Sequence, residues 1–156
     1  MLFAIILTVA VSYVQGTPSQ GHIALSDKGM SIMWVSPTSN SSNVINNVIY
    51  GTNASYLSYY SKPAISSTYN ASDMCGPPAN NASTFTRPGM IWTAEIDYST
   101  AEIKELKPGT KIYFQFGNNK SYSEMNSFTY GTKDQIHGTT SFIAYGDMGT
   151  FGDIDK

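Results

Sequence analysis

Cysteine is nearly absent from this 156-residue chain, and the single Cys75 excludes any internal disulfide. In an oxidising compartment a lone thiol is expected to be buried as a small apolar residue, or else paired with another chain or with a segment outside this sequence. Charge is scarce as well, at 13% Asp, Glu, Lys and Arg against about 25% in an average domain. The formal net charge of -2 gives no reason to expect nucleic acid as a partner. Sustained helical spacing is missing throughout, apart from a short turn expected over 100–106. Beyond the N-terminus no apolar run approaches the ~20 residues a membrane-spanning helix needs. Histidine is limited to His22 and His137, both read as solvated or hydrogen-bonded structural residues.

The N-terminus supplies the first positive signal. Residues 2–11 are apolar, 12–16 turn polar, and Val14 and Gly16 are small at the two positions that signal peptidase reads. Residues 1–16 are therefore read as a secretory signal peptide, so the mature product is expected to be soluble and free of the membrane. Asn-x-Ser/Thr sites at Asn40, Asn53, Asn70, Asn81 and Asn119, none with proline in the middle, point the same way. Together they imply glycosylated surface loops and a secreted, lysosomal or vacuolar destination. Glycans would also keep so weakly charged a chain in solution.

Periodicity indicates β structure nearly throughout. Strands are expected over 22–25, 30–36, 44–50, 91–98, 111–117 and 127–130, rich in Ile, Val, Tyr, Phe and Trp and separated by Gly, Pro, Asn and Ser clusters. Alternation places Met30, Ile32 and Trp34 on one face, and Ile112, Phe114 and Phe116 on another. Trp34 and Trp92 are expected in the core or at its edge. The stretch 52–83, rich in Ser, Tyr and Asn, reads as long loops and irregular strands. Short strands at this spacing without intervening helices imply an all-β sandwich.

One turn refines that class. Leu106-Lys107-Pro108-Gly109-Thr110 leads into an aromatic strand, as does the corner before strand F in fibronectin type III and immunoglobulin-like domains, where a tyrosine bonds back across the corner. The nearest candidate here, Tyr113, falls one position late and on the opposite face, which puts that bond, though not the turn, in doubt. Near the C-terminus the apolar run 142–145 breaks into Gly146-Asp147-Met148-Gly149. Glycines on both sides of a carboxylate at the end of a strand allow metal and backbone to approach closely.

Four segments then occur in an order that resembles the plant-type purple acid phosphatases. They are Asp73-Met74-Cys75-Gly76-Pro77-Pro78-Ala79-Asn80, Arg87-Pro88-Gly89-Met90-Ile91-Trp92-Thr93-Ala94, the 106–117 block, and Phe142-Ile143-Ala144-Tyr145-Gly146-Asp147-Met148-Gly149. The resemblance covers about residues 18–150 and implies a fibronectin-like sandwich over 17–135. It further implies that 136–156 contain the first strand of a truncated α/β metallophosphoesterase domain. By the same resemblance the full-length protein hydrolyses phosphate monoesters with a ferric ion beside a divalent zinc, manganese or iron, and Asp147 matches a ferric ligand. A hard cation suits an anionic oxygen donor.

The family's Gly-Asp-x-x-Tyr and Gly-Asn-His segments and its later histidine motifs do not occur in this chain. Neither histidine stands in their place, and Asp153 and Asp155 read as solvated tail residues. The chain alone is therefore expected to retain no metal and to be inactive, its partners being the missing catalytic domain and, by family resemblance, a second copy in a homodimer. An alternative remains open: a secreted, glycosylated, fibronectin-like binding module without catalysis.

Overall fold

The computed structural model describes residues 17–37 and 44–131. Nine strands and one short helix follow in order: β1 (Ser19–Leu25), β2 (Gly29–Ser36), β3 (Asn46–Gly51), β4 (Tyr59–Tyr60), β5 (Ile65–Ser67), β6 (Met90–Asp97), α1 (Ala101–Lys104), β7 (Lys111–Asn118), β8 (Ser121–Tyr122) and β9 (Asn126–Thr129). They form two antiparallel sheets. One runs β1-β2-β6-β5; the other runs β4-β3-β7-β8, with β9 also on β7. In immunoglobulin lettering these are A-B-E-D against C′-C-F-G, an order of the immunoglobulin-like sandwich class expected from the sequence.

Period-two patterning sets which faces meet. Met30, Ile32 and Trp34 of β2 lie beside Trp92, Ala94 and Ile96 of β6, and all are buried. Opposite them stand Val48 and Tyr50 of β3, Ile112, Phe114 and Phe116 of β7, and Phe128 of β9. Because successive side chains in a strand point to opposite faces, one shift of register would expose this whole set. Trp34 stacks on Phe116 across the interface at 5.5 Å between ring centroids. Its indole Nε1 is buried without a partner among the described residues, whereas Trp92 Nε1 donates to Ser36 Oγ at 3.2 Å. Ile103 of α1 plugs the end of the core.

The margins of the sandwich are less regular than its centre. On β1, Ile23 and Leu25 face the same side as Ile32 and Met30 yet remain 48% and 76% exposed. Among the described residues that strand is an open sheet edge, and none of its seven residues is charged. β8 and β9 form one interrupted strand: the four-residue step from Tyr122 to Asn126 faces a three-residue step from Gly117 to Phe114. The extra residue makes a β-bulge. Buried Ser123 fills it, its Oγ accepting the Phe116 N–H at 3.1 Å and donating to the Glu124 carbonyl at 2.8 Å.

The turn at 107–110 forms as read, with Pro108 at its second position. Thr110 N donates to Lys107 O at 3.1 Å and Gly109 takes φ +87, the positive value that a type II turn demands at its third position. Among the described residues no tyrosine hydroxyl closes the corner. Backbone does so instead, Gly109 N donating to Tyr130 O at 2.9 Å and Tyr130 N to Thr110 O at 2.7 Å, while Tyr130 sets its ring edge-on to Tyr98.

Candidate functional site

Asp147, with residues 1–16, Asn40, His137, Asp153, Asp155 and the apolar run 142–145, lies outside the described residues. Among the described residues, no three His, Cys, Asp or Glu side chains are grouped closely enough to hold a metal ion. His22 sits exposed on β1 opposite Met33. Cys75 departs from the expected burial. It is exposed, because it falls in the loop after a 3₁₀ turn, Ala71–Asp73, where no strand turns a side chain toward the core.

The four remaining acceptor asparagines are all exposed, each on a tight polar turn. Asn53 Oδ1 accepts the Ser55 N–H at 2.9 Å. Asn70 N donates to Asp73 Oδ2 at 2.7 Å as it enters the 3₁₀ turn. The Asn81 carbonyl accepts from Thr84 N at 3.0 Å and Phe85 N at 2.9 Å. Asn119 crowns the β7–β8 turn, which neighbouring Asn118 holds by accepting Lys120 N at 2.9 Å.

A site not anticipated from the sequence opens on the other flank. β5 covers β6 only over Ile91–Thr93. The preceding residues cross to the opposite sheet, Ser61 N donating to Val48 O and Ala64 N to Asn46 O, both at 2.8 Å. Between this crossing and the uncovered end of β6 lies a cleft of about 440 Å³, lined by Ser26, Lys28, Tyr60, Lys62, Glu95 and Asp97 among others. Ser26 Oγ donates to Glu95 Oε1 and accepts the Gly29 N–H at 3.0 Å, which pins the β1–β2 hairpin to β6. Asp97 Oδ1 accepts both Ser99 Oγ at 2.7 Å and Ser99 N at 2.8 Å. The Ser99 hydroxyl and amide hold the Asp97 carboxyl below its usual range, helped by the Lys62 and Lys28 ammonium groups. Burial pushes the Tyr50 phenol up, partly offset by the Thr100 side chain.

Residues 18–130 match the family model described as the purple acid phosphatase N-terminal domain. The chain belongs to the purple acid phosphatase family. No curated protein matches it. Among solved structures it resembles the purple acid phosphatase PPD1 isolated from yellow lupin (Lupinus luteus) seeds, at 21% identity and a TM-score of 0.59. The match covers 74% of this chain and 20% of the lupin chain. At that identity the likeness concerns the fold, and the chain spans about a fifth of the length of that purple acid phosphatase. The matched segment ends at Tyr130, where the backbone closure of the 107–110 corner also ends.

Proposed function

We propose that this sandwich is the N-terminal domain of a secreted purple acid phosphatase that hydrolyses phosphate monoesters, with the chemistry residing in a metallophosphoesterase domain beginning within 136–156. The observation that carries this reading is the match of residues 18–130 to the N-terminal domain of that family. The Gly146-Asp147-Met148-Gly149 sequence supports it from beyond the matched segment. Secretion, with a lysosomal or vacuolar variant, is supported by the composition of residues 1–16 and by four acceptor asparagines standing exposed on turns.

The donor chemistry of the described sandwich does not fit a dinuclear centre, since it gathers no carboxylate, imidazole and thiolate set. A ferric ion with a divalent zinc, manganese or iron would instead be held by Asp147 together with ligands from outside this sequence. A carboxylate is the hard anionic donor such an ion prefers. On this reading the sandwich takes no chemical part in hydrolysis, and phosphate esters are substrates of the full-length protein only.

Sequencing the genomic region that follows the Lys156 codon tests the proposal. Aspartate, asparagine and histidine segments of the family are expected there in some frame. Their absence from every frame would overturn the phosphatase reading.

A further inference from the structure

The cleft between β6 and the crossing segment is a built feature with no role in the reading above, and it stands whether or not a hydrolase domain follows. Its polar groups are unusually available. Glu95 has one carboxylate oxygen engaged, by Ser26, and Asp97 has one engaged, by Ser99. Neither Lys28 nor Lys62 forms a contact ion pair with either carboxylate, although both ammonium groups are near enough to act on Asp97. Main chain is open there too. Tyr98 N donates to Lys28 O on β2. Alternation along an antiparallel strand therefore turns the N–H and C=O of Glu95 toward the uncovered side.

Two ammonium groups and two carboxylates around one cleft sum to no net charge, so a free anion or cation gains little from entering. A ligand whose every polar group both donates and accepts is matched instead: ammonium groups only donate, carboxylates only accept. Hydroxyl groups on a sugar ring have that dual character. The ring's C–H face needs an aromatic wall, and Tyr60 stands at the rim 64% exposed. An aromatic body with a polar tip suits a contact that is apolar on one side and wet on the other.

We propose that this cleft is a binding site for a neutral oligosaccharide, with Tyr60 stacking on a sugar ring, Asp97 and Glu95 accepting from its hydroxyls, and Lys28 and Lys62 donating to them. Asp97→Asn is the informative variant, because an amide oxygen still accepts from Ser99 and keeps the turn while the carboxylate charge is lost.

Isothermal titration of the full chain with cellotriose, chitotriose and mannotriose tests the assignment. At least one of the three should bind saturably below about 10 mM. Asp97→Asn and Tyr60→Ala should each weaken that binding about tenfold or more, titrated at a temperature where both variants remain folded. The proposal is overturned if none of the three binds in that range, or if binding survives both substitutions. It is also overturned if inorganic phosphate or diglycine, titrated in parallel, occupies the cleft in place of the sugars.

Discussion

Three tyrosines carry the pH behaviour of individual residues. Tyr50, Tyr98 and Tyr122 all have their phenol pushed up, in each case chiefly by burial, with Tyr130 adding to the effect at Tyr98 and Tyr60 at Tyr122. Tyr122 also ties its hydroxyl to Asn47 Oδ1 at 2.8 Å across Gly117. In the unfolded chain these phenols ionise near their ordinary value of about 10. Above that pH the folded state holds more protons than the unfolded one, so stability falls as pH rises. The contribution is complete below about pH 10 and is lost as pH climbs through the raised folded values. Urea midpoints should therefore stay level through neutral pH and drop on the alkaline side. Replacing Tyr122 by Phe should make that drop shallower, and an unchanged alkaline slope would show that Tyr122 ionises as freely in the fold as out of it. Asp97 runs in the opposite sense: the Ser99 bonds favour its charged form, so its contribution is present above the usual carboxylate value and is lost in acid.

Among the elements, the bulge between β8 and β9 depends on one hydroxyl. Ser123→Ala removes the acceptor of the Phe116 N–H inside a buried strand, and a buried donor left unpaired costs about 1–3 kcal/mol. A lowered urea midpoint is expected, with Ser123→Thr retaining most of the stability; equal losses in both variants would assign the effect to packing. The strands that were legible in the sequence are those long enough to show alternation: Met30, Ile32 and Trp34, or Ile112, Phe114 and Phe116, repeat a face three times. β4 and β8 have two residues each and β5 three, too few for a period to emerge from a stretch that reads as loop. The corner at 107–110 was legible because proline and glycine fix a turn locally, and the tyrosine bond was in doubt because Tyr113 lies on the wrong face. Burial, one of the readings open for Cys75, fails because its residue type favours a core that its loop does not enter. The cleft had no sequence signal. Lys28, Lys62, Glu95 and Asp97 come from three separate segments, brought together only by the crossing of the chain from one sheet to the other.

At the scale of the whole molecule, the two sheets enclose one core and leave their four lateral edges to different fates. β4, β5 and the bulged β8–β9 strand are short or interrupted, a common way of blunting an edge against unwanted pairing. Among the described edge strands β1 alone is long, and Ser, Gln, Gly, His, Ile, Ala and Leu give it no lysine or acid to repel a neighbour. A solution of the isolated sandwich should accordingly show concentration-dependent association by light scattering, and Ala24→Lys, on the outward side of that strand opposite Ser31, should suppress it. Persistence of the association in that variant would place it elsewhere on the surface. Should that rim recruit a twin, the usable concentration of this domain in storage and purification would be set by a strip of main-chain amides at its margin, and a single ammonium group placed there would act as a preservative.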